Sequence, residues 1–174
     1  DSPMAYYNLG SAYQIQQNHE EACIYLEKAC ELDDDDEGFK VALAMSKMKM
    51  GKFKEASNVY KNLLVQHPEK ENYKYNLVTC YEAMGELDTA IKMLEGMVYV
   101  NQKFILPAQK LASLYIKTNQ LNKAKDLYDN ILLKGQVSAE TFHQYAILSS
   151  SLCDTDTAER MLKKVIKMNP DIAK

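Results

Sequence analysis

The side chains able to act as metal ligands, nucleophiles or acid–base groups are few and widely spread. His19, His67 and His143 are set apart from one another in the chain, and the spacings of Cys23, Cys30, Cys80 and Cys153 match neither a small disulfide framework nor paired CxxC zinc ligands. The run Asp33, Asp34, Asp35, Asp36, Glu37, Gly38 begins like a calcium loop, but Ala44 stands at the twelfth position, where a bidentate Glu is needed. An acidic turn and helix cap is expected there instead. No Gly-rich phosphate loop, nucleophile elbow or paired acid–base constellation occurs. Catalysis has little support in this segment, and neither a metal nor a cofactor is expected.

What could position binding chemistry is a repeat. Ala22, Ala56, Ala90, Ala124 and Ala158 follow one another at intervals of 34 residues without insertion or deletion. Leu9, Leu43, Leu77, Leu111 and Tyr145 keep the same phase upstream, each followed by a compact residue: Gly10, Ala44, Val78, Ala112 or Ala146. Leu26, Tyr60, Leu94, Tyr128 and Leu162 lie four residues after each alanine, which is helical spacing. Each unit therefore predicts two amphipathic helices of about a dozen residues joined by a tight turn. Gly51 and Gly85 fall where that turn needs positive φ, with Asn119 the next best residue and Gln17 and Cys153 poorly suited. Pro68 and Pro170 close second helices, and Pro3 and Pro107 fall near the first turn of first helices.

These residues resemble the tetratricopeptide repeat family, whose pattern is an aromatic or Leu, then Leu-Gly, Tyr, Ala, an aromatic, Ala and Pro. The first unit, with Tyr6, Leu9, Gly10, Tyr13, Ala22, Leu26 and Ala29, follows it closely, departing mainly by Asp34 where Pro is usual. Later units drift: Lys40 and Lys74 replace the early aromatic, with Phe39 and Tyr73 one position before. Leu63, Met97, Ile131 and Val165 replace a small residue of the second helix, and Ser149 and Cys153 replace Tyr and Gly in the fifth unit. The resemblance implies an all-α fold, a right-handed α-solenoid of five antiparallel helix-turn-helix hairpins over residues 3–172, with repeats 3–36, 37–70, 71–104, 105–138 and 139–172. The array starts almost at residue 1 and stops at Lys174 without the extra solvating helix such arrays often carry, so an excerpt of a longer protein is expected.

In this family the outward positions of the first helices line a concave groove. Here they are Tyr7, Ser11 and Gln14; Val41, Met45 and Met48; Tyr75, Asn76, Thr79 and Glu82; Gln109, Lys110, Ser113 and Lys117; and His143 and Ile147. The set is mixed, with a Met-containing apolar region bordered by tyrosines, which suits an extended or helical peptide. Any one of Met45, Met48 and Tyr75 could equally serve packing between adjacent first helices. Cochaperone members hold a chaperone's terminal carboxylate with Lys and Asn, then Asn, then Lys and Arg. Residues 41, 45, 76, 106 and 110 retain only Asn76 and Lys110 of that set, and the other registers do worse, so no dicarboxylate clamp is expected.

Net charge is −3, which gives no general attraction to phosphate backbones or anionic membranes. Over the five repeats the charge runs −7, +4, −2, +3 and −1, an alternation that favours stacking in register only modestly when the charges are solvated. No apolar stretch approaches the roughly 18 residues that span a bilayer, and no signal-peptide pattern opens the chain. Unpaired cysteines and the lack of any Asn-X-Ser/Thr sequon point to an intracellular, cytoplasmic setting. The expected function is a non-enzymatic scaffold or adaptor that holds a peptide segment or partner protein within a larger assembly. The alternative is self-association through end repeats. RNA binding ranks third, because base-reading helical repeats usually run at 35 residues with basic grooves.

Overall fold

A computed structural model describes residues 2–100, 105–133 and 137–169. Among them are ten helices and no strand: α1 Pro3–Ile15, α2 His19–Leu32, α3 Glu37–Lys49, α4 Phe53–Gln66, α5 Glu71–Ala83, α6 Leu87–Val100, α7 Ile105–Lys117, α8 Leu121–Leu133, α9 Ala139–Ser151 and α10 Thr155–Met168. They follow one another along the chain as helix, tight turn and helix, an all-α helical-repeat fold. The chain divides into two compact units, Asp1–Ala90 and Ile91–Lys174.

Four of the described helix starts are fixed by side-chain caps. Asp36 at the end of the acidic run accepts from the Phe39 amide at 3.1 Å, and Asp33 accepts from the Asp35 amide at 3.2 Å. The run is thus an acidic turn and N-cap, and Asp34 pairs with Lys40 at 3.0 Å. Asn18, Ser138 and Asp154 cap α2, α9 and α10 in the same way. Pro3 opens α1, where its missing N–H costs nothing. Pro170, expected to close α10, lies outside the described residues.

The five turns share one geometry. Gln17, Gly51, Gly85, Asn119 and Cys153, in strict phase, have φ of 60°, 75°, 80°, 58° and 60°. The amide of the next residue reaches back to the helix in every case, as in Asn18 to the Tyr13 carbonyl at 2.9 Å and Asp154 to the Ser149 carbonyl at 2.9 Å. This left-handed C′ closure suits glycine, and a residue with a Cβ loses about 1 kcal/mol there. Gln17 and Cys153, poorly suited by type, take it anyway because the packing of both helices dictates where the chain must reverse.

The in-phase apolar residues make the cores of both units. Ala22, Ala56, Ala90 and Ala124 are fully buried, as are Leu26, Tyr60 and Leu94. Gly10 shows why a compact residue is needed on the first helix. A Cβ there would stand 2.7 Å from Leu26 Cγ and 3.2 Å from the Ala22 carbonyl oxygen. Phe39 and Tyr73 are buried, taking over the packing of the absent aromatic at Lys40 and Lys74. Leu63, Met97 and Ile131 are buried as well, so bulk replaces the small residue of the second helix without loss of burial. Leu9 and Leu162 depart from their phase-mates, at 41% and 43% exposed, because α1 and α10 are the first and last helices and are covered on one side only.

Candidate functional site on the first helices

In the unit Asp1–Ala90 the outward residues of α1, α3 and α5 divide into two groups. Gln14 donates from Nε2 to the Ala42 carbonyl and to Ser46 Oγ, both at 2.8 Å, so it ties α1 to α3. The Tyr7 ring lies 5.0 Å from that of Phe39, Asn76 donates to the Tyr60 hydroxyl at 3.2 Å, and Thr79 donates to the Tyr75 carbonyl at 3.0 Å. These side chains hold hairpins together or satisfy their own helix. Met45 is half exposed, and Ser11, Val41, Met48, Tyr75 and Glu82 are partly buried. On α3, Met45 thus leaves apolar surface exposed, with Val41 and Met48 of the same helix partly buried.

In the unit Ile91–Lys174, Ser113, Lys117, His143 and Ile147 are exposed and Gln109 and Lys110 partly buried. The first helices α7 and α9 enclose a cleft of about 270 Å³ lined by Gln109, Ser113, Tyr128, Ser138, Glu140, Thr141 and Gln144. Gln109 Nε2 donates to Thr141 Oγ1, and Gln144 Nε2 donates to Glu140 Oε1 at 2.6 Å. Tyr128 forms the floor, 3% exposed and stacked 5.2 Å from Tyr145. Burial, with the Glu140 charge adding to it, pushes its phenol up to about 12. Sequence reasoning named Gln109 and Ser113 but missed Tyr128, Ser138, Glu140, Thr141 and Gln144 as members of one cleft. The signal was Thr141, which stands where Phe39 and Tyr73 stand in earlier repeats.

The opposite side of each unit carries the seams between hairpins. At one phase Glu27 meets Lys47 at 3.1 Å, and Lys47 also meets Glu55 at 3.0 Å. One repeat on, Lys61 lies over the Tyr81 ring at 5.3 Å. In the other unit Tyr115 donates to Glu95 at 2.6 Å with Lys123 over its ring at 5.3 Å. The last seam shifts by one turn: Ser149 is too short, its buried hydroxyl has no partner among the described residues, and Tyr145 donates to Asp129 at 2.5 Å.

Family models for the tetratricopeptide repeat match residues 5–36 and 47–109. A tetratricopeptide repeat protein from Parabacteroides merdae ATCC 43184 is similar in fold, with a TM-score of 0.83 at 19% identity over 97% of this chain and 67% of that one. MamA 41-end from Desulfovibrio magneticus RS-1 superposes with a TM-score of 0.83 at 17% identity over 98% and 96% of the two chains. YrrB, described as a TPR protein with an unusual peptide-binding site, gives 0.70 at 19% identity over 95% and 86%. No curated protein sequence is a significant match. With five in-phase hairpins, the left-handed turns and the family match, the chain belongs to the tetratricopeptide repeat proteins.

Proposed function

We propose that this chain is a non-enzymatic scaffold that holds a peptide segment of a partner protein on the outward face of its first helices, within a larger assembly. The observation that carries this reading is the apolar surface of α3, where Met45 is 49% exposed and engaged in no hydrogen bond, beside partly buried Val41 and Met48. Flexible thioethers over a half-open apolar face accommodate varied side chains of a bound segment. The likeness in fold to a TPR protein described as having a peptide-binding site agrees with it. Affinity capture with the wild-type chain and a Met45→Glu/Tyr75→Glu variant of unchanged helicity tests the reading. Proteins lost only with the variant support it, and identical captures overturn it.

A second reading is self-association through the end helices, favoured by exposed Leu162, Ile166 and Met168 on α10 and Met4 and Leu9 on α1. It expects a mass that rises with concentration in sedimentation, abolished by Leu162→Lys/Ile166→Lys. A mass of one chain at every concentration removes it.

A further inference from the structure

The cleft between α7 and α9 is a built polar site, and its chemistry can be read from equivalent positions two repeats earlier. There Tyr60 is the floor, Asn76 donates to its hydroxyl at 3.2 Å, and the Tyr73 ring fills the space beside it at a centroid distance of 6.3 Å. At the same positions α8 and α9 carry Tyr128, Gln144 and Thr141. Thr141 is too small to fill the space. Gln144 turns to Glu140 instead of Tyr128, so Tyr128, 3% exposed, lines the cleft without the bond that Asn76 makes to Tyr60.

The polarity of the opening follows from simple valence. A carboxylate only accepts, so Gln144 must give Glu140 an N–H and turn its carbonyl oxygen away as an acceptor. Gln109 likewise gives one N–H to Thr141, which turns its carbonyl oxygen away from that bond. Beside the hydroxyls of Ser113, Ser138 and Thr141 and the second N–H of each amide, the lining offers as acceptors two amide oxygens, the Glu140 carboxylate and the Tyr128 oxygen, with one full negative charge and no cationic side chain among the residues that form it. Such a set calls for a ligand that is cationic and has several N–H donors spread in a plane.

We propose that this cleft receives an arginine side chain of a peptide laid across the first helices, its guanidinium hydrogen-bonded to Glu140, the Gln144 carbonyl oxygen and the Tyr128 hydroxyl. This assignment rests on the first-helix face being the partner-binding face. A guanidinium is preferred to an ammonium because its planar fork reaches acceptors on two elements at once, and its weaker hydration makes entry beside a buried tyrosine less costly.

The test is an NMR titration of the full, isotope-labelled chain with an acetylated, amidated Gly/Ser peptide bearing one arginine, against the same peptide with citrulline, the neutral isostere. Saturable shifts centred on Glu140, Thr141, Gln144 and the Gln109 side-chain amide are expected, with the arginine peptide about tenfold tighter, the scale of one charge-assisted hydrogen bond. Glu140→Gln should reduce the arginine peptide to the citrulline level, and Tyr128→Phe should weaken it severalfold while the spectrum of the free protein keeps its dispersion. Equal response to citrulline, indifference to Glu140→Gln, or shifts confined to Asp1–Ala90 would each overturn the assignment. Because Met45 and Tyr75 lie in the other unit, loss of partner capture by their variant alongside a null arginine result leaves the scaffold reading standing and removes only this one.

Discussion

Two junctions built on the same plan, α3–α4–α5 and α7–α8–α9, end in opposite states. Both place a buried tyrosine under two first helices. Around Tyr60 the space is closed by Tyr73 and the hydroxyl is satisfied by Asn76. Around Tyr128 a threonine leaves about 270 Å³ open and the amide has gone to a carboxylate. The difference lies in two side chains, not in the helices, and it teaches that in a repeat array a site can arise by omission. The repeat supplies a scaffold that closes itself when the large residue is present and opens a cleft when it is not.

The largest effect should come from alkali, which strikes both junctions. Burial pushes Tyr60, Tyr73 and Tyr128 up to about 12 from an ordinary value near 10, so the fold favours their protonated form. That stability is intact below pH 10 and is lost as pH rises toward 12, and unfolding followed by circular dichroism across this range should show the decline. Next, Tyr73→Thr should open the closed junction at a cost of about 3 kcal/mol in denaturant unfolding. It removes a buried ring and its 3.0 Å bond to Glu37. A loss below about 1 kcal/mol would mean that the ring does not hold that space.

Smaller effects separate the two tyrosines. Tyr60→Phe should cost about 1 kcal/mol by stranding the Asn76 amide, whereas Tyr128→Phe strands no such amide, Gln144 being turned to Glu140, and should change stability little. Equal losses would erase the distinction. Cys153→Gly and Gln17→Gly, at φ of 60°, should each gain up to about 1 kcal/mol, and Gly85→Ala should lose a similar amount. The smallest effect is at acid pH. The Lys125 side chain, then the Thr157 hydrogen bonds, hold the Asp154 carboxyl below its usual value, so its contribution is present above that value and fades as pH falls through the lowered one. Asp154→Asn should flatten that part of the acid profile of the unit Ile91–Lys174.

The fold was largely legible because a 34-residue phase survives without insertions, and five alanines with their apolar partners mark where helices meet. Even the turn at Cys153 could be placed by phase, although its residue type argued against the geometry it adopts. The surface was less legible. Gln14 and Ser11 read alike in sequence, yet Gln14 is committed to the Ala42 carbonyl and Ser46 through atoms that only the packing of α1 on α3 brings within reach. The cleft escaped notice because it depends on what is missing at Thr141, and an outward-facing pattern registers side chains that are present.

The seams on the far side of the hairpins have a consequence for how such a chain avoids assembling wrongly. Five hairpins of nearly one shape could in principle dock in the wrong order, or trade places between two copies, with little steric objection. The seams differ, however: an acid–lysine–acid cluster, a lysine over a ring, a phenol on a carboxylate, and the same pair displaced by a turn. Docking the face that carries Lys61 onto the face that carries Lys47 would set two cations together, and the face of Glu27 offers nothing that stacks on Tyr81. Each hairpin thus carries an address for its true neighbour, and errors of order are rejected by mismatched chemistry where shape alone would admit them.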